Sequence, residues 1–175
     1  MKFILILSVS IFLILLASGG MSEEVRKGRF TILSPAFENH GTIPKKYGCE
    51  GDNVNPPLKM ENVPPEAKSI ALIFDDQDAP RGSYVHWILW NIDSRTKEIK
   101  ENSFPEGAVQ GMNDFKKNNY GGPCPPTRPH RYVFKVFALD ILLNLNPNVA
   151  KPDLERAMEG HIIGQAQLRG TYKRK

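Results

Sequence analysis

Two short stretches of this chain each set a histidine two residues from an aromatic side chain, beside a loop built to bend. In "DAPRGSYVHW" the pair is Tyr84 and His86; in "GGPCPPTRPHRY" it is His130 and Tyr132. The first stretch follows an apolar run, "SIALIF"; Asp75 and Asp76 lie between the two, and Asp78 opens the stretch itself. Burying a charge without a partner costs several kcal/mol per ion. Carboxylates and imidazoles at the mouth of a core therefore point to a polar pocket. Such a pocket would offer imidazole N–H, phenol O–H and glycine backbone N–H donors, which suit phosphate or carboxylate. Each histidine taken alone reads more readily as a core or rim residue with an ordinary partner than as a functional one.

Something must position these groups. "SIALIFD" is a continuous apolar run of strand length, typical of a strand covered on both faces. "YVHWILWNID" is a second strand, in which period-two alternation puts Tyr84, His86, Ile88, Trp90 and Ile92 on one face. "HRYVFKVFALD" is a third, with His130, Tyr132, Phe134 and Val136 opposite Arg131, Val133, Lys135 and Phe137. "RFTILSPAF", "LKMENV" and "QAQLRGTYKR" read as shorter or alternating strands. One helix is expected in "KPDLERAMEGHII", with Pro and Asp at its start, an apolar stripe of Leu154, Ala157 and Met158, and a break at Gly160 or Gly164. The fold class is mainly β: a large antiparallel sheet packed on a smaller one, with a short helix on the C-terminal side.

The 175 residues suit one domain, assigned to 21–175. The formal charge of +4 gathers near "VRKGRF" and "RGTYKRK", without a basic stripe interleaved with aromatics, so nucleic acid is not an expected partner. Residues 1–20, "MKFILILSVSIFLILLASGG", have the layout of a secretory signal peptide, with a cut after Gly19 or Gly20. The mature chain is then expected outside the cytoplasm, or membrane-anchored if the segment is retained. A true start at Met21 would instead leave it cytoplasmic. In an oxidising compartment Cys49 and Cys124, both in turn-like segments, are expected to pair as a disulfide; otherwise they are two unrelated thiols.

The stretches "CEGDNVNPPL", "DDQDAPRGSYVHWILWNID", "GMNDFKKNNYGGPCPPTRPHRYVFKVFALD" and "GHIIGQAQLRGTY" together resemble the phosphatidylethanolamine-binding protein family, in its prokaryotic branch similar to Raf kinase inhibitor protein. The resemblance implies a pocket for phosphate or a phospholipid headgroup, no resident cofactor or metal, and no catalysis. It also implies a partner enzyme, a protease or a kinase, whose activity the protein modulates. Asp76, Asp78, Ala79 and Pro80 match the family's Asp-Pro-Asp-Ala-Pro motif, with Gln77 in place of its first proline. His86 matches the pocket histidine, and Gly122, Pro123, His130, Arg131 and Tyr132 match the second motif. On this basis Gly122 N–H, His86 and Tyr132 are the expected anion donors. Asp76 would orient a histidine or meet an ammonium group, and Pro80 and Tyr84 would form walls. Asp78 is either a pocket residue or a structural partner for turn N–H groups or Arg131. A cis Ala79–Pro80 bond and a bend loosened at Gln77 are also expected. The competing reading is a metal-dependent hydrolase built on His86, His130 and Asp76 with His161, although no HExxH or GxSxG motif is present.

Overall fold

The computed structural model describes residues 28–175; the expected signal segment, 1–20, lies outside them. A small sheet has the order β1–β3–β6, from Thr31–Leu33, Leu58–Glu61 and Glu98–Ile99. A large sheet has the order β2–β9–β8–β4–β5–β7, from Gly41–Thr42, Ile162–Tyr172, His130–Leu139, Ser69–Asp76, Tyr84–Asp93 and Val109–Gln110. All pairings are antiparallel except the short β2–β9 contact. Helix α1 spans Lys151–Met158 and stops ahead of Gly160, whose φ of 78° lies in the left-handed region.

β4 is the keystone. It lies between β8 and β5 and every residue in it is buried, which is why its sequence shows no alternation. On one face Ile70, Leu72 and Phe74 meet Phe134, Trp87 and, from the small sheet, Ile32, Leu58 and Met60. On the other face Ala71 and Ile73 pack with Ile88, Trp90 and the helix residues Leu154 and Met158. The two faces can be called front and back.

β5 does not keep the single face that its alternation suggests. Ile70 opposes Ile92 but Leu72 opposes Leu89, three steps on β5 against two on β4. Phe74 opposes Trp87 and Asp75 opposes Val85, two steps against one. Each irregularity is a bulge, and each bulge reverses the side on which later residues emerge. Ile88 and Trp90 therefore belong to the back cluster and Ile92 to the front one. Asn91, at the first bulge, takes a φ of 55° and binds the Leu143 backbone through its side chain, at 2.9 Å to the carbonyl and 2.8 Å from the N–H. The second bulge falls at His86 and turns its ring to the front, beside Phe74 and Tyr132.

Candidate functional site

The front face ends in a cluster of Asp76, His86, His130 and Tyr132. Asp76 and Tyr132 are directly opposed across β4 and β8, and the two histidines come from the start of β8 and the bulge of β5. All four residues are at least 95% buried. His130 donates from Nδ1 to Asp76 Oδ2 at 2.7 Å, so the carboxylate fixes that ring. The other Asp76 oxygen accepts the Asp78 N–H at 2.8 Å. Of the two histidines open to it from sequence, Asp76 contacts the ring nitrogen of His130.

His86 Nδ1 lies 2.7 Å from the Gly121 carbonyl. A carbonyl can only accept, so Nδ1 carries the proton. Burial pushes the His86 pKa below its ordinary value, against the raising pull of the Gly121 carbonyl and the Asp76 charge. The neutral ring then presents a lone pair, not a proton, at Nε2. Both histidines are held through Nδ1, and the Gly122 backbone also bears on the His86 ring. The Tyr132 hydroxyl is buried and makes no hydrogen bond of ordinary geometry, with the Asp76 carboxylate and the Cys124 backbone as its polar neighbours. Its pKa is raised first by burial and then by the Asp76 carboxylate.

The loop that closes the cluster is tied down by amides. Asp114 N–H donates to the Val85 carbonyl at 3.0 Å and its carboxylate accepts the Val85 N–H at 2.7 Å. Gly121 N–H donates to the His86 carbonyl at 3.0 Å. Asn113 Nδ2 reaches the same carbonyl at 3.3 Å and the Asn119 carbonyl at 2.7 Å. Gly122 N–H donates to Asn53 Oδ1 at 2.7 Å, and a side chain on Gly122 would sit 2.6 Å from that oxygen. This corrects the expectation for Gly122: its N–H is committed within the protein, and its lack of a side chain is what lets two loops meet. The Pro123 carbonyl accepts Cys49 N–H at 3.0 Å beside the Cys49–Cys124 disulfide, which joins the same two loops.

Tyr84 and exposed Phe115 meet His86 edge to face, with ring centroids 5.5 and 5.1 Å away. Tyr120 stacks on Phe74 at 5.6 Å and donates to the Tyr47 carbonyl at 3.0 Å. Phe115, Tyr120, Gly121, Gly122 and the disulfide line a depression of about 170 Å³ outside the cluster. Phe115, Asn53, Asn113 and Asp114 lie inside the stretches that carry the family resemblance, but the sequence assigned them no role.

Two further expectations are corrected. No cis peptide occurs among the described residues, so Ala79–Pro80 is trans. The sharp bend comes instead from Asp76 capturing the Asp78 N–H and from a turn in which Gly82 N–H donates to the Ala79 carbonyl at 3.0 Å, with Gly82 at a φ of 94°. Pro80 is exposed at the corner of that turn. Gln77 does not loosen the bend: its N–H donates to the Arg131 carbonyl at 2.9 Å, a bond that proline could not make. Asp78 has the structural role of its two readings. It binds Arg131 through Nε at 2.9 Å, Nη2 at 2.6 Å and the backbone N–H at 2.8 Å, and the guanidinium holds its carboxyl well below the usual range.

The hydrolase reading loses its third histidine. His161 pairs with Asp140 at 2.9 Å, at the end of β9 opposite the Tyr172 that pairs with His130. Among the described residues no group of three or more His, Cys, Asp or Glu is placed to hold a metal ion.

Asp75 was not singled out from sequence. It alternates to the back, is fully buried, and receives Lys151 Nζ at 2.6 Å, Lys135 Nζ at 3.3 Å, Ser83 Oγ at 2.9 Å and Gln77 Nε2 at 2.6 Å. Helix α1 is thereby fastened to the bend that carries Asp76.

The family model for phosphatidylethanolamine-binding protein matches residues 33–173. A UPF0098 protein of Methanothermobacter thermautotrophicus is 47% identical over 144 residues, covering 79% of this chain and 95% of its own. One from Pyrococcus abyssi is 47% identical over 166 residues, 90% of each chain. Among solved structures, a phosphatidylethanolamine-binding protein homologue of Chlamydia trachomatis superposes with a TM-score of 0.81 at 41% identity, over 84% of this chain and 99% of that one. YbcL of E. coli, a member of the mammalian PEBP family, gives 0.79 at 29% identity, over 85% and 100%.

Proposed function

The chain belongs to the phosphatidylethanolamine-binding protein family, and from that premise we propose that its front cluster binds a small, proton-bearing phosphate group without turning it over. A free phosphate monoester and a phospholipid headgroup share that chemistry. The observation that supports this reading is the buried Tyr132 hydroxyl, which makes no hydrogen bond of ordinary geometry, beside two imidazoles held by Nδ1. A buried hydroxyl left unpaired costs about 1–3 kcal/mol, which a bound oxyanion would recover. Tyr132 donates to a phosphate oxygen. Neutral His86, with its lone pair at Nε2, accepts from the ligand's own P–O–H, and Asp76 holds His130 in place. An ammonium group on the headgroup would be drawn to the Asp76 charge. A few such contacts, less desolvation and ordering, correspond to affinity between micromolar and millimolar. Export, if the N-terminal segment acts as a signal, makes a protease a better fit than a kinase for any partner enzyme.

The test is calorimetric titration with phosphorylethanolamine. Tyr132→Phe is expected to bind about tenfold more weakly or worse, with the fold retained by circular dichroism. Equal binding by parent and variant would reject the assigned pocket. Metal-dependent hydrolysis of the ester by the parent would replace binding with catalysis.

A further inference from the structure

The back of the large sheet is covered by α1 only at one end. Phe137 and Leu139 of β8 pack in the helix-side cluster, whereas Arg131 and Lys135 line an open cavity of about 560 Å³ with Gln77, Gln167, Arg169 and Thr171. Among the described residues no carboxylate lines this cavity.

Its charge is not balanced from beneath. Arg131 is paired with Asp78 but keeps 70% of its side chain exposed. Lys135 is the second cation on Asp75, whose same oxygen Lys151 holds more closely. Arg169 pairs with no carboxylate among the described residues; its guanidinium donates to Gln167 Oε1 at 3.1 Å. Four cations thus face two carboxylates, and counting Glu155, 3.8 Å from Lys151, still leaves one positive charge in excess.

The β8–β9 register sets the spacing. Val133 opposes Arg169, so Arg169 lies diagonally between Arg131 and Lys135. Diagonal neighbours of this kind are about 7 Å apart. One phosphate could engage one or two of these cations. Two linked phosphates could engage all three, with the Gln167 amide and Thr171 hydroxyl as neutral partners. The volume suits a small ligand.

We propose that this open end of the back face is a second oxyanion site, separate from the front cluster, that takes a ligand carrying two linked phosphates. The two sites are the two faces of one strand pair: His130 and Tyr132 emerge on one side of β8, Arg131 and Lys135 on the other.

Pyrophosphate is the probe, titrated into nitrogen-15-labelled protein while backbone amide shifts are followed. Saturable shifts are expected at Arg131, Lys135 and Gln167–Thr171, with half-saturation moving upward as salt is raised. Arg169→Glu should raise half-saturation by about tenfold or more. Gln167→Glu, which places a carboxylate in the cavity without removing a cation, should act in the same direction, and it stands in if Arg169→Glu does not fold. Shifts confined to the Gly121–Gly122 loop, shifts that never saturate, or a folded variant that titrates like the parent would each overturn the proposal.

Discussion

At the scale of single residues the strongest constraint is the proton on His86. Because Nδ1–H is used by the Gly121 carbonyl and burial lowers the pKa, the folded state favours the neutral ring. A ligand with no proton of its own must therefore wait for the imidazolium. Sulfate binding to the front cluster, read at the Gly121 amide, should strengthen as pH falls from about 8 to about 5, and calorimetry in buffers of different ionisation enthalpy should show proton uptake. Flat affinity with no uptake would rule out the neutral-ring account. The same depressed pKa has a sign for stability: the unfolded chain takes a proton first, so His86 favours the fold above about pH 6.5 and that contribution is lost as pH falls below it. Asp75 and Asp76 show how far sequence reaches here. Both are acids at the end of an apolar run, and Asp76 meets His130, one of the two histidines left open to it from sequence. Asp75 was legible in principle, because alternation from Ile73 sends it to the opposite face. Its partner Lys151 was not, because no short-range pattern links positions 75 and 151. Asp75→Asn leaves Lys135 and Lys151 without their carboxylate and should cost about 3–5 kcal/mol in urea unfolding, since breaking a buried pair strands its charges. A loss below about 1 kcal/mol would mean that solvent already screens the group.

Among the elements, β4, β5, β8, α1 and β9 lie where composition and periodicity put them, because apolar strands between turn residues need little tertiary information. What alternation could not foresee was its own interruption. Both β5 bulges depend on register against β4, which is a property of the pair and not of one segment. The bend after β4 was read as needing a cis proline, and an Asp-capped turn with a glycine supplies the reversal instead. The loops show the same dependence on partners. Gly122→Ala would press a methyl group against the Tyr47 carbonyl oxygen and the Asn53 amide. It should cost about 2 kcal/mol or more, an overpacking effect, and weaken front-site binding by displacing the adjacent Gly121 carbonyl. Thermal melts together with titration check this; an unchanged melt with unchanged binding would show that the loops are not clamped at that point.

For the whole molecule, the small sheet and the helix pack on opposite faces of β4 in the large sheet, and the loops over the front are joined by the Cys49–Cys124 disulfide across 75 residues of sequence. In the chain-entropy picture a loop of that length corresponds to about 4–5 kcal/mol. Reduction should lower the melting temperature by several degrees or more and leave two titratable thiols, whereas the unreduced, denatured protein should show none. Sequencing the exported protein should find a start at Gly20 or Met21; an intact leader on a cytosolic form would contradict export. Within these 175 residues there are only two cysteines. The chain therefore has a single intramolecular way to cross-link itself. Oxidative maturation needs an electron acceptor and no isomerase to correct mispairing, so a heterologous host supplying only an oxidant should deliver the native connectivity.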